Sequence, residues 1–201
     1  MTIATTSPRP GRPPSITRER IADAGIALGL PAMTFTGVAA LLGVSHVALY
    51  KHVAHLAALK LLVAEEIFSR WQLPAPGEGD LEHYLLRFSA SLRALVKSHP
   101  GLAPYLLRRK ATTPAMLARI DAHQTQVAHA YQLPKQRARW LLSTVALHCV
   151  ALADTAYAPA GDAWQDGDED DSDSDSDRAI EAEFDLGMRA LVIGALAMRM
   201  Q

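Results

Sequence analysis

The stretch that decides the fold runs from Met33 to Leu59 and reads MTFTGVAALLGVSHVALYKHVAHLAAL. Thr34 is placed to cap a first helix, because its hydroxyl can accept a hydrogen bond from an unpaired backbone N–H two or three residues on. Gly43 tolerates the positive φ that a helix end requires, and Ser45 can then cap a second helix. The stretch therefore predicts two short helices joined by a tight turn.

Apolar residues follow helical spacing on both sides of this turn. Val38, Leu41 and Leu42 predict one apolar face on the first helix, and Leu49 and Val53 return to the core from the second. The residues left to point outward are His46, Val47, Ala48, Tyr50, Lys51 and His52. This pattern predicts a helix-turn-helix whose second helix is available to the major groove of DNA.

The same region carries three motifs that also occur together in a known family. They are Leu42-Gly43-Val44-Ser45, Leu49-Tyr50-Lys51-His52-Val53 and Ala58-Leu59. Weaker likenesses follow at Ser98-His99-Pro100-Gly101-Leu102 and at Phe184-Asp185-Leu186-Gly187-Met188. With these motifs the chain resembles the tetracycline-repressor (TetR) family of bacterial one-component regulators. The resemblance implies a helix-turn-helix DNA-binding domain followed by a larger helical domain that binds a ligand and dimerises.

The resemblance also implies which residues contact a palindromic operator of double-stranded DNA. Tyr50 is similar to the family's phosphate-binding tyrosine, although it and His52 could instead pack between domains. Lys51 can donate to guanine, whereas Val47 and Ala48 suit thymine methyl groups. The predicted DNA-binding residues are Arg9, Arg12, Thr34, Thr36, Ser45, His46, Val47, Ala48, Tyr50, Lys51 and His52.

Two positions depart from the family pattern. Leu56 stands where relatives commonly carry a basic residue at the start of the fourth helix, and Thr36-Gly37 opens the second helix, which is often basic in relatives. Two cationic phosphate contacts are thus missing. The candidates to replace them are Arg9, Arg12, Arg18 and Arg20.

Charge is unevenly distributed along the 201 residues, although the formal net charge is only −1. Residues 1–60 hold six basic and two acidic side chains, whereas 162–177 hold nine acidic and no basic ones. A basic N-terminal region suits a protein of which one face meets phosphates. Neither a signal peptide nor a membrane span is indicated, so we expect a cytoplasmic protein. The single cysteine, Cys149, excludes an intrachain disulfide.

The domain prediction follows from composition and helical periodicity. No alternating β pattern occurs, so the predicted class is all-α. We expect a disordered basic arm over 1–14, which either enters the minor groove or remains a solvated tail. The DNA-binding domain is predicted over 15–60 and the effector-binding and dimerisation domain over 61–201, with an acidic disordered loop at about 158–178. Asp171 stands where a calcium loop requires glycine, and no cofactor or metal is expected.

A small-molecule effector in the larger domain is implied by the resemblance. The predicted pocket residues, each of which could also be plain core, are Trp71, Tyr84, Phe88, Tyr105, Met116, His123 and Trp140. Tyr105 and Trp71-Gln72 stand near positions where relatives use histidines for tetracycline and its magnesium. Neither ligand is therefore carried over, and we expect an aromatic or otherwise apolar compound.

Two late helices carry apolar residues at alternating steps of three and four, which is typical of helix–helix seams. Two such helices and their symmetry mates would form a four-helix dimer interface, unless both seams are used within the subunit. The predicted interface residues are Leu141, Val145, His148, Leu152, Phe184, Gly187, Leu191 and Gly194.

The resulting hypothesis is a ligand-released repressor. Gly43-Val44-Ser45-His46-Val47 lacks the second glycine of a hydrolase nucleophile elbow, and no other enzyme motif is found. Two alternatives stay open: a DNA-binding regulator without a small-molecule effector, and a helical interaction module whose DNA motif has degenerated.

Overall fold

The computed structural model describes residues 16–157 and 173–198, and all regular structure within those ranges is helical. The elements are α1 (Arg18–Leu28), α2 (Phe35–Leu42), α3 (His46–Tyr50), α4 (Leu56–Arg70), α5 (Leu81–Ser98), α6 (Ala103–Leu107), a 3₁₀ turn (Arg109–Ala111), α7 (Pro114–Ala130), α8 (Lys135–Ala156) and α9 (Asp173–Ala197). The all-α prediction is confirmed. The predicted arm over 1–14, with Arg9 and Arg12, lies outside the described residues.

Helices α1–α3 form a small unit with a closed core, which we call the reading head after its predicted role in DNA binding. α2 packs on α1 and α3, and Ile21, Val38 and Leu49 are at most 1% exposed. Leu41, predicted on the apolar face of α2, is instead 57% exposed, because the helix turns the small Ala39 inward and so approaches its neighbour closely.

Helix α4 joins the reading head to the rest of the chain and packs on both α1 and α7. It crosses α1 so closely that a Cβ on Gly25 would lie 2.4 Å from Cγ2 of Val63. Two ion pairs reinforce this crossing: Arg70 with Asp23 at 2.7 Å, and Arg18 with Glu65. Residue 60, the predicted domain boundary, lies inside this helix, so the two predicted domains share it.

The remaining helices form the body, in which α8 packs against α5, α6, α7 and α9. Helix α9 is also attached to α5 through Glu181, whose carboxylate contacts Arg93 at 2.9 Å and Lys97 at 2.8 Å. The hydroxyl of Tyr157 donates to the same carboxylate at 2.7 Å. The hydrogen bonds from Lys97 and Tyr157 lower the pKa of Glu181.

Three predicted interface residues are wrong, because they lie in the subunit's own core. Leu141, Val145 and Phe184 are 1%, 0% and 3% exposed. The Phe184 ring is covered by the Arg93 guanidinium, 4.7 Å from its centroid. These side chains have no surface to offer a second subunit.

The other five residues of the predicted interface keep some surface. His148, Leu152, Gly187 and Gly194 are exposed and Leu191 is half-buried. Leu186 and Ile193, which the predicted seam omitted, are 70% and 50% exposed. The apolar face that remains open on α9 is therefore shifted by about one residue from the predicted seam.

The acidic loop is shorter than predicted, because α9 already begins at Asp173 rather than after residue 178. The rest of the predicted loop, 158–172, lies outside the described residues. Within the ranges that the structure describes, no helix has the length and apolarity needed to cross a membrane.

Candidate nucleic-acid interface and internal cavity

Two capping hydrogen bonds and one glycine build the helix-turn-helix as predicted. The Thr34 hydroxyl accepts a hydrogen bond from the Gly37 N–H at 3.0 Å, and the Ser45 hydroxyl accepts one from the Ala48 N–H at 3.2 Å. Gly43 between them has φ 67°, in the left-handed region. The turn thus ends α2 and starts α3 within three residues, which fixes the direction of α3, the predicted recognition helix.

The recognition helix is only five residues long, and most of its predicted contacts reach solvent. The predicted DNA-binding residues exposed on this surface are Thr34, Thr36, Ser45, His46, Val47, Tyr50, Lys51 and His52. Ala48 is half-buried and presents little surface. Lys51 and His52, predicted on the helix, follow its end at Tyr50 and lie in the next turn.

The orientation of Tyr50 depends on Phe35, which the sequence analysis did not assign to the site. The two rings stack with centroids 4.3 Å apart and planes 12° apart. Tyr50 remains 50% exposed, and its hydroxyl makes no hydrogen bond to any residue in the described part of the chain. The stacking fixes the ring and leaves the hydroxyl available.

A second missed residue is His55, which caps the start of α4 directly before Leu56. Its Nδ1 accepts a hydrogen bond from the Ala58 N–H at 3.1 Å. In the neutral imidazole the proton is then on Nε2, which remains a donor. The sequence signal for this cap was a histidine directly before the apolar run Leu56–Leu59.

The body contains an apolar cavity of about 190 Å³ that is partly open to solvent, and we call it the central cavity. Its lining residues are Phe68, Trp71, Leu73, Phe88, Leu92, Leu106, Leu107, Thr112, Met116, Ile120, His123, Gln124, Leu142, Ser143, Ala146, Leu147 and Val150. Four of the seven predicted pocket residues, Trp71, Phe88, Met116 and His123, are among them. A side cavity, lined in part by Arg119 and Gln126, shares Leu73 and His123 with it.

The other three predicted pocket residues do not line the central cavity. Tyr84 is hydrogen-bonded to His123, which lies between it and the cavity. Tyr105 is half-buried in α6, which turns Leu106 and Leu107 toward the space instead. One face of Trp140 is covered by the guanidinium of Arg137, 4.8 Å from the ring centroid.

His123 forms the wall between the two cavities and is held neutral. Its Nε2 lies 2.6 Å from the hydroxyl oxygen of Tyr84, and its ring lies beside that of Phe88 with centroids 5.9 Å apart. Burial lowers the pKa of His123, the nearby Arg119 charge lowers it further, and a hydrogen bond with Gln126 partly opposes the shift. Burial also raises the pKa of Tyr84, so both partners are uncharged at neutral pH.

Gln124, next to His123 on α7, was missed by the sequence analysis. It is only 6% exposed, lines the central cavity and makes no hydrogen bond to any residue within 16–157 or 173–198. A lone glutamine on an amphipathic helix is usually a solvated residue, so no sequence signal marks it.

The C-terminal end of α4 reaches the central cavity and is held there by the body. Phe68 and Trp71 line the cavity, and the Trp71 Nε1–H donates to the Ser91 hydroxyl at 2.8 Å. Arg119 of α7 donates hydrogen bonds to the backbone carbonyls of Ser69 and Trp71. The same helix that carries the reading head therefore ends in the cavity wall.

Comparison with known proteins agrees with this architecture. No family model matches the chain, and no curated protein matches it by sequence. Many solved structures do match. A TetR variant from Acinetobacter baumannii AYE in complex with minocycline superposes with a TM-score of 0.71 at 21% identity, over 93% of this chain and 100% of that chain.

Two further matches come from Streptomyces coelicolor. ActR in complex with actinorhodin gives a TM-score of 0.68 at 18% identity, over 90% of this chain and 96% of that one. A possible TetR family transcriptional regulator gives a TM-score of 0.69 at 23% identity, over 91% of this chain and 100% of that one. The chain has the fold of TetR-family transcriptional regulators.

Proposed function

We propose that this chain is a TetR-type DNA-binding transcriptional regulator, and that a small molecule in the central cavity releases it from its operator. The observation that carries the proposal is the position of α4. One end of this helix follows the recognition helix, and the other end contributes Phe68 and Trp71 to the cavity wall. A ligand that prefers one position of that end shifts the equilibrium between two orientations of the reading head.

The proposed DNA-binding domain spans 15–60, with a basic arm over 1–14 before it. Its exposed surface combines the recognition helix with the Thr36 and Tyr50 hydroxyls and with the Nε2 donor of His55. Arg9 and Arg12 of the arm supply cationic contacts that the start of α4 lacks, because Leu56 there is 39% exposed and apolar. Phosphate contacts position the head, and His46, Val47 and Lys51 read base edges.

The proposed route from cavity to DNA passes through Arg119. Its guanidinium holds the last carbonyls of α4 and lies 5.9 Å from the Phe68 ring centroid. A ligand that displaces Phe68 or Trp71 also disturbs these hydrogen bonds. Because Val63 of α4 packs on Gly25 of α1, movement of α4 carries the head with it.

We also propose that two subunits associate through the exposed faces of α8 and α9. The apolar surface there includes Leu147, Leu152, Leu186, Gly187, Ile193 and Gly194. Nothing lies within 4 Å of a Cβ built on Gly187 or Gly194, so a partner helix can approach closely at both positions. Two helices and their symmetry mates form a four-helix interface, which suits a palindromic operator.

The proposal is tested by selecting genomic fragments with the purified protein and measuring binding by gel shift. We expect a palindromic fragment to be enriched and Tyr50→Ala to weaken its binding by about 10–100-fold, as for loss of a hydrogen bond to a charged group. Tyr50→Phe is the matched control that keeps the stacking on Phe35. It separates the hydroxyl's phosphate contact from the ring's packing.

Other outcomes select the alternatives. Specific binding that no small molecule changes would favour a regulator without an effector. No enrichment even at low salt would favour a helical interaction module, because phosphate contacts strengthen as salt falls. The proposal assigns the protein no catalytic activity and has it act in the cytoplasm.

A further inference from the structure

The size of the central cavity limits what it can hold. Its volume is about 190 Å³. An engineered cavity of about 150 Å³ in another protein accommodates one benzene molecule. The central cavity therefore suits one substituted ring or two fused rings.

The lining of the central cavity limits the charge of its occupant. None of the lining residues is Lys, Arg, Asp or Glu, and most are aliphatic or aromatic. The one titratable lining side chain, His123, is neutral because burial lowers its pKa. Transfer of an ionised group into such surroundings without a partner is strongly unfavourable. An uncharged ligand is therefore favoured over its anionic or cationic analogue.

Gln124 supplies the polar feature of the cavity. It is only 6% exposed, and its amide has no hydrogen-bond partner among the described residues. The amide borders the cavity, so a ligand hydroxyl or carbonyl can form a hydrogen bond with it on binding. Ser143 on the facing α8 is a further lining hydroxyl without a hydrogen bond inside 16–157 or 173–198.

We propose that the effector is an uncharged aromatic compound of one or two rings whose hydroxyl or carbonyl group bonds to the amide of Gln124. This inference rests on the proposed function in calling the ligand an effector. The binding itself does not depend on DNA. The rings fill the apolar space beside Phe68, Trp71 and Phe88, while the polar group points at α7.

The test uses three probes of similar shape on the purified wild-type protein at neutral pH, measured by equilibrium dialysis without DNA. These are 2-naphthol, naphthalene and the 2-naphthoate anion. We expect 2-naphthol to bind roughly three- to tenfold more tightly than naphthalene, as for one net hydrogen bond. Naphthoate should bind at least about tenfold more weakly than naphthol, because its charge must be desolvated. Equal or tighter binding of naphthoate overturns the inference.

Gln124→Met, a nearly isosteric change, tests the assigned amide. We expect the preference for naphthol over naphthalene to disappear with little change in the thermal midpoint of the ligand-free protein, because the amide that is lost has no hydrogen-bond partner among the described residues. Gln136→Met, at an exposed position on α8, is the matched control and should change neither. An unchanged preference in Gln124→Met overturns the assignment. Should this variant fail to fold, the three-probe series on the wild type still decides.

Gel shifts with the selected fragment then separate the two proposals. If naphthol binds through Gln124 but leaves the DNA complex intact, the ligand site stands and the proposed release fails. If the complex dissociates only with charged or much larger compounds, the proposed function stands and an uncharged ligand of one or two rings is the wrong class.

Discussion

The reading head and the body are both helical, but the head has a closely packed core, whereas the body contains a cavity. In the head, Ile21, Val38 and Leu49 are at most 1% exposed, and Gly25 of α1 leaves no space against Val63 of α4. The body contains a cavity of about 190 Å³ between four helices and α6. A close-packed unit moves as one piece, whereas a hollow one can rearrange around a ligand. This division suits a protein in which sensing and reading occupy different regions.

The largest expected difference concerns the same substitution in the two regions. Leu49→Ala in the head removes a fully buried side chain and should cost about 2–5 kcal/mol of unfolding free energy. Leu106→Ala in the cavity wall should cost less than about 2 kcal/mol, because Leu106 is half-buried and faces empty space on one side. Urea unfolding followed by circular dichroism measures both. Equal costs would mean that the body is as well packed as the head.

The second prediction compares two arginines that hold helix ends in the same way. Arg119 bonds to the last carbonyls of α4, and Arg137 donates to the carbonyls of Ala195 and Leu196 at the end of α9, at 2.8 and 3.1 Å. Either residue replaced by Met should cost about 1–3 kcal/mol of stability.

Only one of these arginines lies on the proposed route from cavity to DNA. Arg119→Met should reduce the effect of a ligand on operator affinity, whereas Arg137→Met should leave that effect unchanged. Gel shifts with and without ligand give, for each variant, the ratio of the two operator affinities. Equal ratios in both variants and the wild type would exclude Arg119 from the coupling.

The head's local structure could be predicted because it depends on neighbours in sequence. Thr34, Gly43 and Ser45 act within three residues of their own position, so capping and turn rules are sufficient. The wrong or missing predictions in the head concern contacts between α2 and the neighbouring helices. Leu41 is exposed and Phe35 supports Tyr50, and both facts depend on which side of α2 meets α1 and α3.

The body could be predicted only as a class of fold. Helices α8 and α9 are apolar on two sides, so periodicity could not tell the buried Val145 and Phe184 from the exposed Leu186. The cavity arises where side chains from several helices fail to meet, which no local rule describes. Gln124 and Arg119 have ordinary helical neighbours in sequence, and their roles appear only when α7 is packed against α4 and α8.

A smaller effect is expected from overpacking the crossing of α1 and α4. Gly25→Ala places a methyl group against Val63, and such overpacking costs about 1–3 kcal/mol, partly offset by up to about 1 kcal/mol of helix propensity. The net loss, about 1–2 kcal/mol, is measured by urea unfolding. The double variant with Val63→Ala should lose less than the sum of the two single changes, because the clash is absent. Simple additivity would show that the α1–α4 crossing has room to spare.

The smallest expected effect is that acid destabilises the cavity-containing body before the closely packed reading head. The pKa of buried His123 in the folded chain lies below its ordinary value of 6.5, so the unfolded state binds more protons when the pH falls past that value. The stability contributed by the neutral imidazole is therefore complete above about pH 6.5 and is lost progressively as the pH drops toward the lowered pKa.

His123→Gln keeps a hydrogen-bonding side chain beside Tyr84 but does not titrate, and it should flatten this part of the stability–pH curve. His99, whose pKa is also lowered by burial, is retained in both proteins, so the difference between their curves isolates His123. Hydrogen exchange should show the acid-induced opening first in α7 and only later in α1–α3. If instead the helices of the head open first, the packed and hollow regions do not differ in the way their cores indicate, and a proton on His123 is accommodated without disturbing the cavity wall.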